Sequence, residues 1–372
     1  MTLEYNNLYD YWAFRDSQSI CNNIIQNFDP MVAITILGAG VTGMTIASQL
    51  PSDYQITIVG KELPGDALTT EWASPWAGAC WVGVHLSNAR EQKLQRDSFA
   101  KLWKLAKEHP ESGARVAKMT EILEYGSLEH FWYKSVVPDF KVLDKKDLPP
   151  NALFGVTYST VCISPPIFLK WMRSRLEAQG VKFQRAHVES LEDLKHGNHD
   201  ILINASGAQS KHLKDVADTS LVPFRLQSIL IEADYDECYI YRGKNGYYFN
   251  MFGRGDGTTY LGGIKDLGSL DRTVYDKDRQ TILTRGNTLL PSILPSANPG
   301  DYRILYDIGN TYHFRPQEKG GARVEKELLS GQRVIHAYGQ EAGGYCYSYG
   351  LGREVANLVA DYAYELPTPS KL

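Results

Sequence analysis

Several functional classes are excluded by what the chain lacks. Its five cysteines (Cys21, Cys80, Cys162, Cys238, Cys346) are odd in number and widely spread, with no Cys-x-x-Cys spacing. Neither a zinc site nor a disulfide framework is indicated, and they read as reduced thiols of an intracellular protein. No apolar run approaches the ~20 residues that span a bilayer, so no membrane partner is expected. Lys and Arg total 39 against 43 Asp and Glu, a net charge of -4 with no basic stripe. Nucleic acid is therefore not expected as a partner. There is no internal repeat, nucleophile elbow, metal-ligand cluster or evident acid–base pair.

What is present is organised around Met31–Gly43, MVAITILGAGVTG. Val32–Leu37 is a short β-branched run suited to a strand buried on both faces. Gly38, Gly40 and Gly43 follow as G-x-G-x-x-G, then a helix-compatible run, Met44–Leu50, and a second β-branched run, Gln55–Val59, with Lys61 and Glu62 behind it. Strand, glycine turn, helix, strand and acid together form a dinucleotide-binding fingerprint. Gly38 permits the tight turn, Gly40 close approach to a pyrophosphate, and Gly43 helix–strand packing. The helix N-terminus, through Ala39, Val41 and Thr42, offers free N–H groups to phosphates. Glu62 suits a ribose hydroxyl. Lys61 could attract a 2′-phosphate, which leaves a nicotinamide cofactor open at this point.

Elsewhere, Thr69–Ser87 interleaves small residues with Trp72, Trp76 and Trp81, a composition that can run beside a flat ligand. Glu91–Glu108 has helical apolar spacing. Phe131–Leu143, Gly155–Cys162, Val181–Val188 and Asp200–Ile203 read as strands. A helix opens at Ser164-Pro165-Pro166 and stops at Gly180. Leu226–Ala233, Tyr247–Phe252 and Thr258–Lys265 read as strands, the last two joined through the Arg254-Gly255-Asp256 turn. Tyr312–Arg315 and Val334–Gly339 are strand-like, and a helix runs from Gly350 to about Tyr364. Asn204 opens a glycosylation sequon, but at the end of a buried strand. Residues 1–30 read as an extension resembling neither a signal nor a transit peptide.

These blocks carry a specific resemblance. Gly38–Gly43, Ala73-Ser-Pro-Trp-Ala-Gly78, Asn204-Ala-Ser-Gly207, His313-Phe-Arg315-Pro316, Gly321-Ala-Arg-Val-Glu325 and His336-Ala-Tyr-Gly339 make the chain similar to the D-amino-acid oxidase and D-aspartate oxidase family, in its fungal branch. The resemblance implies an α/β fold. A Rossmann-like FAD-binding domain is assembled from residues 31–76, 152–222 and 306–366. A substrate domain with a mostly antiparallel sheet takes 77–151 and 223–305. It implies FAD as cofactor, bound by the fingerprint residues and by Lys61, Glu62, Ser74, Ala77, Gly78, Val188, Ser206, Gly207, Arg315, Gly343, Gly344 and Tyr345.

The implied activity is oxidation of a D-amino acid to an imino acid, which hydrolyses to a keto acid and ammonia while molecular oxygen becomes hydrogen peroxide. Arg315 corresponds to the arginine that binds the substrate carboxylate bidentately. Tyr247 corresponds to its tyrosine partner, with Tyr248 leaving the register open. Three further residues suit an acidic side chain, as in D-aspartate oxidases: Lys265 after Gly262-Gly263, Arg242 and His85. Neutral D-amino acids, and glycine or sarcosine with Cys346 near the flavin, are the alternatives. The expected partners are the substrate, oxygen, a second copy of the chain in a homodimer and the peroxisomal import receptor. The last would read Ser370-Lys371-Leu372 in the tail 367–372.

Overall fold

The computed structural model describes residues 32–366. The extension 1–30 and the tail 367–372 lie outside the described residues. In chain order the elements are β1 (Ala33–Leu37), α1 (Val41–Ala47), β2 (Gln55–Gly60), α2 (Ala89–Glu108), β3 (Ala114–Leu123), β4 (Lys141–Val142), β5 (Phe154–Ile163) and α3 (Pro165–Ala178). There follow β6 (Lys182–Arg185), β7 (Ile201–Asn204), β8 (Val222–Glu232), β9 (Cys238–Arg242), β10 (Tyr248–Gly253), β11 (Thr258–Leu267), α4 (Asp276–Leu289), β12 (Ile304–Phe314), β13 (Arg323–Leu329), β14 (Gln332–Tyr338) and α5 (Gly344–Tyr364).

The strands form two sheets. The first has the order β13-β14-β7-β1-β2-β6. It is parallel except for the β13–β14 hairpin. Its central strands are continuous apolar runs because both faces are covered: Ile34, Ile36, Ile58, Ile201 and Ile203 pack under the helices, and Leu37, Val59, Leu202 and Val334 under Leu191 and Leu213 of the turns on the other side. From β1 the chain passes to β2 on one side and later to β7 on the other. Their carboxyl ends thus flank a crevice at a topological switch point.

The second sheet has the order β12-β8-β11-β10-β9-β3-β5-β4 and is mostly antiparallel. Its two faces bury different partners. Ile229, Ile231, Phe249, Met251 and Leu261 pack under α4. Leu230, Phe252, Tyr260 and Ile240 belong to the main core shared with the first sheet. Arg225 on β8 fastens α4 through Asp278 at 2.9 Å, a buried pair. Helix α2 opens with a capping box between Asn88 and Glu91, an arrangement that satisfies two orphan N–H groups and contributes about 1 kcal/mol. Strands β5 and β12, inside segments assigned above to the cofactor domain, add to the second sheet.

Three local expectations need correction. Phe131–Leu143 is not a strand: Phe131 and Tyr133 are fully buried, but the backbone makes short 3₁₀ turns and only Lys141–Val142 is extended. The strand expected over 181–188 is confined to β6. Helices α1 and α5 begin earlier than read, at Val41 and Gly344, so that both N-termini reach the crevice. Asn204 is fully buried, and its side chain bonds Ser206, Ser210 and His336, which removes the sequon from use. The Arg254-Gly255-Asp256 tip is likewise docked, with Arg254 donating to the carbonyls of Gly78 (2.6 Å) and Ala77 (2.7 Å).

Candidate active site

The crevice at the carboxyl ends of β1, β2 and β7 deepens into a cleft. Gly38, Ala39, Gly40, Val41 and Thr42 line it, with Lys61, Glu62, Ser74, Ala77, Val188, Ser206, Gly207, Gly344 and Tyr345. Gly38 has φ +119°, and a Cβ on it would stand 2.3 Å from the carbonyl oxygen of Ala205, so only glycine makes this turn. Helix α1 starts without an acidic residue in its first turn, leaving its positive end for an anion.

Gly43, Gly78 and Gly343 stand just behind the lining. Gly43 holds α1 against β1, where a Cβ would lie 1.9 Å from the oxygen of Gly38. Gly78 and Gly343 lie against the rings of Phe252 and Tyr347. Trp72 lines the cleft, but Trp76 and Trp81 are core residues.

Sequence reasoning missed the cleft's far wall, Asn310–His313 on β12 together with Arg272. Several buried polar atoms there lack a partner: Trp72 Nε1, Asn310 Nδ2 and both ring nitrogens of His313. Burial first, then the charges of Lys211, His212 and Arg272, push His313 down to about 4, so its ring is neutral. Orphaned donors and acceptors of this kind fit a long polar ligand. Lys61 is engaged by Glu71 at 3.2 Å and Glu62 at 3.8 Å. Its charge is not free for a 2′-phosphate, which disfavours the nicotinamide alternative.

From the cleft a row of side chains crosses the second sheet on one face. Tyr312 stacks on Phe224 at 5.4 Å between centroids. The Lys265 ammonium lies 5.7 Å from the Phe224 ring and 5.3 Å from that of Tyr248. Asn250 and Arg242 continue the row. Strand alternation resolves the tyrosine register. Tyr248 is on this face, whereas Tyr247 points to the α4 side, against Tyr241 and Arg285. Of the two, Tyr248 shares the face of Lys265 and Arg242.

The expected cations are not equivalent. Lys265 is exposed and has no carboxylate within salt-bridge distance among the described residues. Arg242 lies 3.3 Å from Glu121, which is fully buried and also accepts from Tyr133 and Tyr158 at 2.6 Å each. His85 sits 3.8 Å from the same carboxylate and 3.2 Å from the Tyr133 hydroxyl. Burial pushes His85 down to about 4, outweighing the upward pull of Glu121, so it is neutral near pH 7. Arg315 lies at the end of β12 beside Gly339, outside the cleft lining. Its Nε edge is taken by Ser220 Oγ (3.1 Å) and Asp218 (3.3 Å), and Nη1 makes a long contact to the Gly321 carbonyl (3.4 Å).

Residues 33–358 match the family described as FAD dependent oxidoreductase. The chain belongs to this family. It is 31% identical to a D-amino-acid oxidase of Schizosaccharomyces pombe, covering 87% of this chain and 95% of that one. It is 28% identical to a D-aspartate oxidase of Talaromyces thermophilus, covering 88% and 94%. A glycine oxidase structure from Geobacillus kaustophilus shares the fold at 18% identity, with a TM-score of 0.67 over 90% of this chain and 95% of that one.

The cofactor of this oxidase family is FAD, and the cleft fits it. The Gly38–Thr42 turn and the α1 N-terminus would hold the pyrophosphate. Glu62 would hold a ribose, and the α5 N-terminus at Gly344 would meet the far end. When bound, FAD supplies the two-electron acceptor that no side chain here provides.

Proposed function

We propose that this chain is an FAD-dependent oxidase of D-amino acids, oxidising the Cα–N bond to an imino acid that hydrolyses to a 2-oxo acid and ammonia, with oxygen reduced to hydrogen peroxide. The supporting observation is the row of side chains at the cleft's edge. Tyr248 offers a hydroxyl and Lys265 a cation beside the place where a flavin ring would end. Arg315 anchors the substrate α-carboxylate in this reading. Its Nε edge is spent on Asp218, but Nη2 makes no hydrogen bond among the described residues, and the Nη edge is the one that grips a carboxylate end-on.

The same reading favours acidic side chains, and Lys265 alone carries that preference. A carboxylate displaced from water needs its own cation, and Lys265 is not committed elsewhere. A neutral side chain is the second reading. Its support is that Arg242 is paired with Glu121 and His85 is neutral, so two of the three expected cations add no net charge. Peroxide release across a panel of D-amino acids, with L-forms as controls, tests both. We expect D-aspartate or D-glutamate to lead. Lys265→Met should lower kcat/KM for them by about 2 kcal/mol, roughly 30-fold, with little effect on D-alanine. A parent enzyme that prefers D-alanine or D-methionine would refute the acidic preference.

Tyr248 and Tyr247 give a paired control. Losing a hydrogen bond to a charged group costs about 1.5–3 kcal/mol. Tyr248→Phe should therefore lower kcat/KM roughly 10- to 100-fold, while Tyr247→Phe stays near the parent. The opposite ranking in steady-state kinetics would mean that the substrate lies on the α4 face.

A further inference from the structure

Beneath the cleft lies a group of thiols that the proposed reaction does not use. Cys80 is 8% exposed, and Cys162 and Cys238 are fully buried. Cys80 follows Ala77, a lining residue, by three positions. Residues 79–81 run antiparallel to β5: Ala79 and Ile163 exchange backbone hydrogen bonds (3.3 and 2.8 Å), and Trp81 N–H donates to the Val161 carbonyl (2.8 Å). Cys80 and Cys162 are the opposed pair between these two rungs. At such a non-hydrogen-bonded site the Cα atoms stand about 4.5 Å apart and the side chains approach most closely, within the range that a disulfide spans.

Cys238 opposes Phe252 and Met119, not either of the other cysteines. The Cys162 thiol donates to the Ala79 carbonyl (3.4 Å) and the Cys80 thiol to the Trp81 carbonyl (3.8 Å). The neighbouring thiols of Cys238 and Cys80, with the charges of Arg115 and Arg254 behind them, draw the Cys162 thiol below its usual range against burial. Burial pushes Cys80 up. Cys162 is therefore the better thiolate, and a thiolate is the form that attacks an oxidant.

We propose that Cys80 and Cys162 form a disulfide driven by hydrogen peroxide, the oxidant this enzyme releases under the function proposed above. The Cys162 thiolate attacks one peroxide oxygen. An S–O bond forms, the O–O bond breaks, and hydroxide leaves and takes up a proton as water. Cys80 then attacks the sulfenic sulfur; the S–S bond forms, the S–O bond breaks, and the second oxygen leaves as water. Two thiols lose two electrons and two protons, and one peroxide becomes two waters. The product would clamp the segment after Ala77 to β5, at the base of the cofactor cleft.

The test uses reduced holoenzyme freed of reductant. One arm receives hydrogen peroxide, and the other a D-amino acid and air. Free thiols are then blocked and the protein digested without reduction. In the peroxide arm we expect a peptide joining Cys80 to Cys162, reversed by dithiothreitol and still formed in Cys238→Ala. In Cys80→Ala, Cys162 should instead be trapped as a sulfenic acid by dimedone. If peroxide leaves both thiols free for blocking, or joins Cys162 to Cys238, the proposal fails. Linkage with added peroxide but not during turnover supports the thiol pair and counts against the peroxide-releasing function.

Discussion

Gly40→Val is expected to purify folded, colourless and inactive. Gly40 caps α1 with φ -77° and ψ -178°, a backbone that a β-branched residue adopts without strain. A Cβ there would meet only the Ser74 side chain, at 2.8 Å from the hydroxyl that accepts from Val41 N–H, and no backbone. The added methyls would occupy the space where the backbone approaches a pyrophosphate.

The two neighbouring glycines would not separate cofactor binding from folding. Gly38 has a positive φ, and Gly43 would drive a Cβ into the carbonyl of Gly38. Gly40→Val should thus lose flavin absorbance and peroxide release together, with far-ultraviolet circular dichroism matching that of the flavin-stripped parent. A yellow, fully loaded variant would place the cofactor elsewhere.

That glycine turn was legible from sequence because its determinants are local. The apolar run of β1, the three glycines and the β-branched β2 lie within thirty residues of one another. The last βα unit, β14 into α5, was legible for the same reason. Strand β3 was not. Arg115, Lys118 and Glu121 interrupt its apolar pattern, and Glu121 faces inward only because phenols from Tyr133 and Tyr158 and the Arg242 guanidinium meet it there. Those partners come from three distant segments, and no window of sequence shows them together.

The same carboxylate explains why Arg242 and His85 looked like substrate cations. They were expected as cations for an acidic side chain, and the Glu121 carboxylate that each of them approaches comes from a separate segment. The Tyr247/Tyr248 ambiguity had a different origin. Adjacent residues of one strand face opposite ways, and a register one residue off exchanges a residue on the face of Lys265 and Arg242 for one on the α4 side. Helix α4 was missed because its apolar stripe is short and Gly286 interrupts it.

Arg242→Leu should cost about 3–5 kcal/mol of stability at neutral pH, the range seen when one partner of a buried ion pair is removed. Glu121 has no exposed surface, and without Arg242 only two phenols and a neutral imidazole face its charge. Adding Glu121→Gln should recover much of the loss, because the double variant leaves no unpaired charge buried.

The pH dependence supplies an independent sign. His85 titrates at about 4 in the folded chain and near its ordinary 6.5 when unfolded. Between those values the unfolded state binds the extra proton, so the parent loses stability as pH falls from 6.5 toward 4. Arg242 is one of the charges holding His85 down, and Glu121 pulls it up. Removing Arg242 should raise His85, letting it protonate in the folded state beside the stranded carboxylate. The cost of Arg242→Leu, measured by urea unfolding, should therefore be smaller at pH 5 than at pH 7.5. A cost below about 1 kcal/mol at pH 7.5, or one that grows on acidification, would mean that the Arg242–Glu121 pair does not hold this site together and that Arg242 is free to meet a substrate.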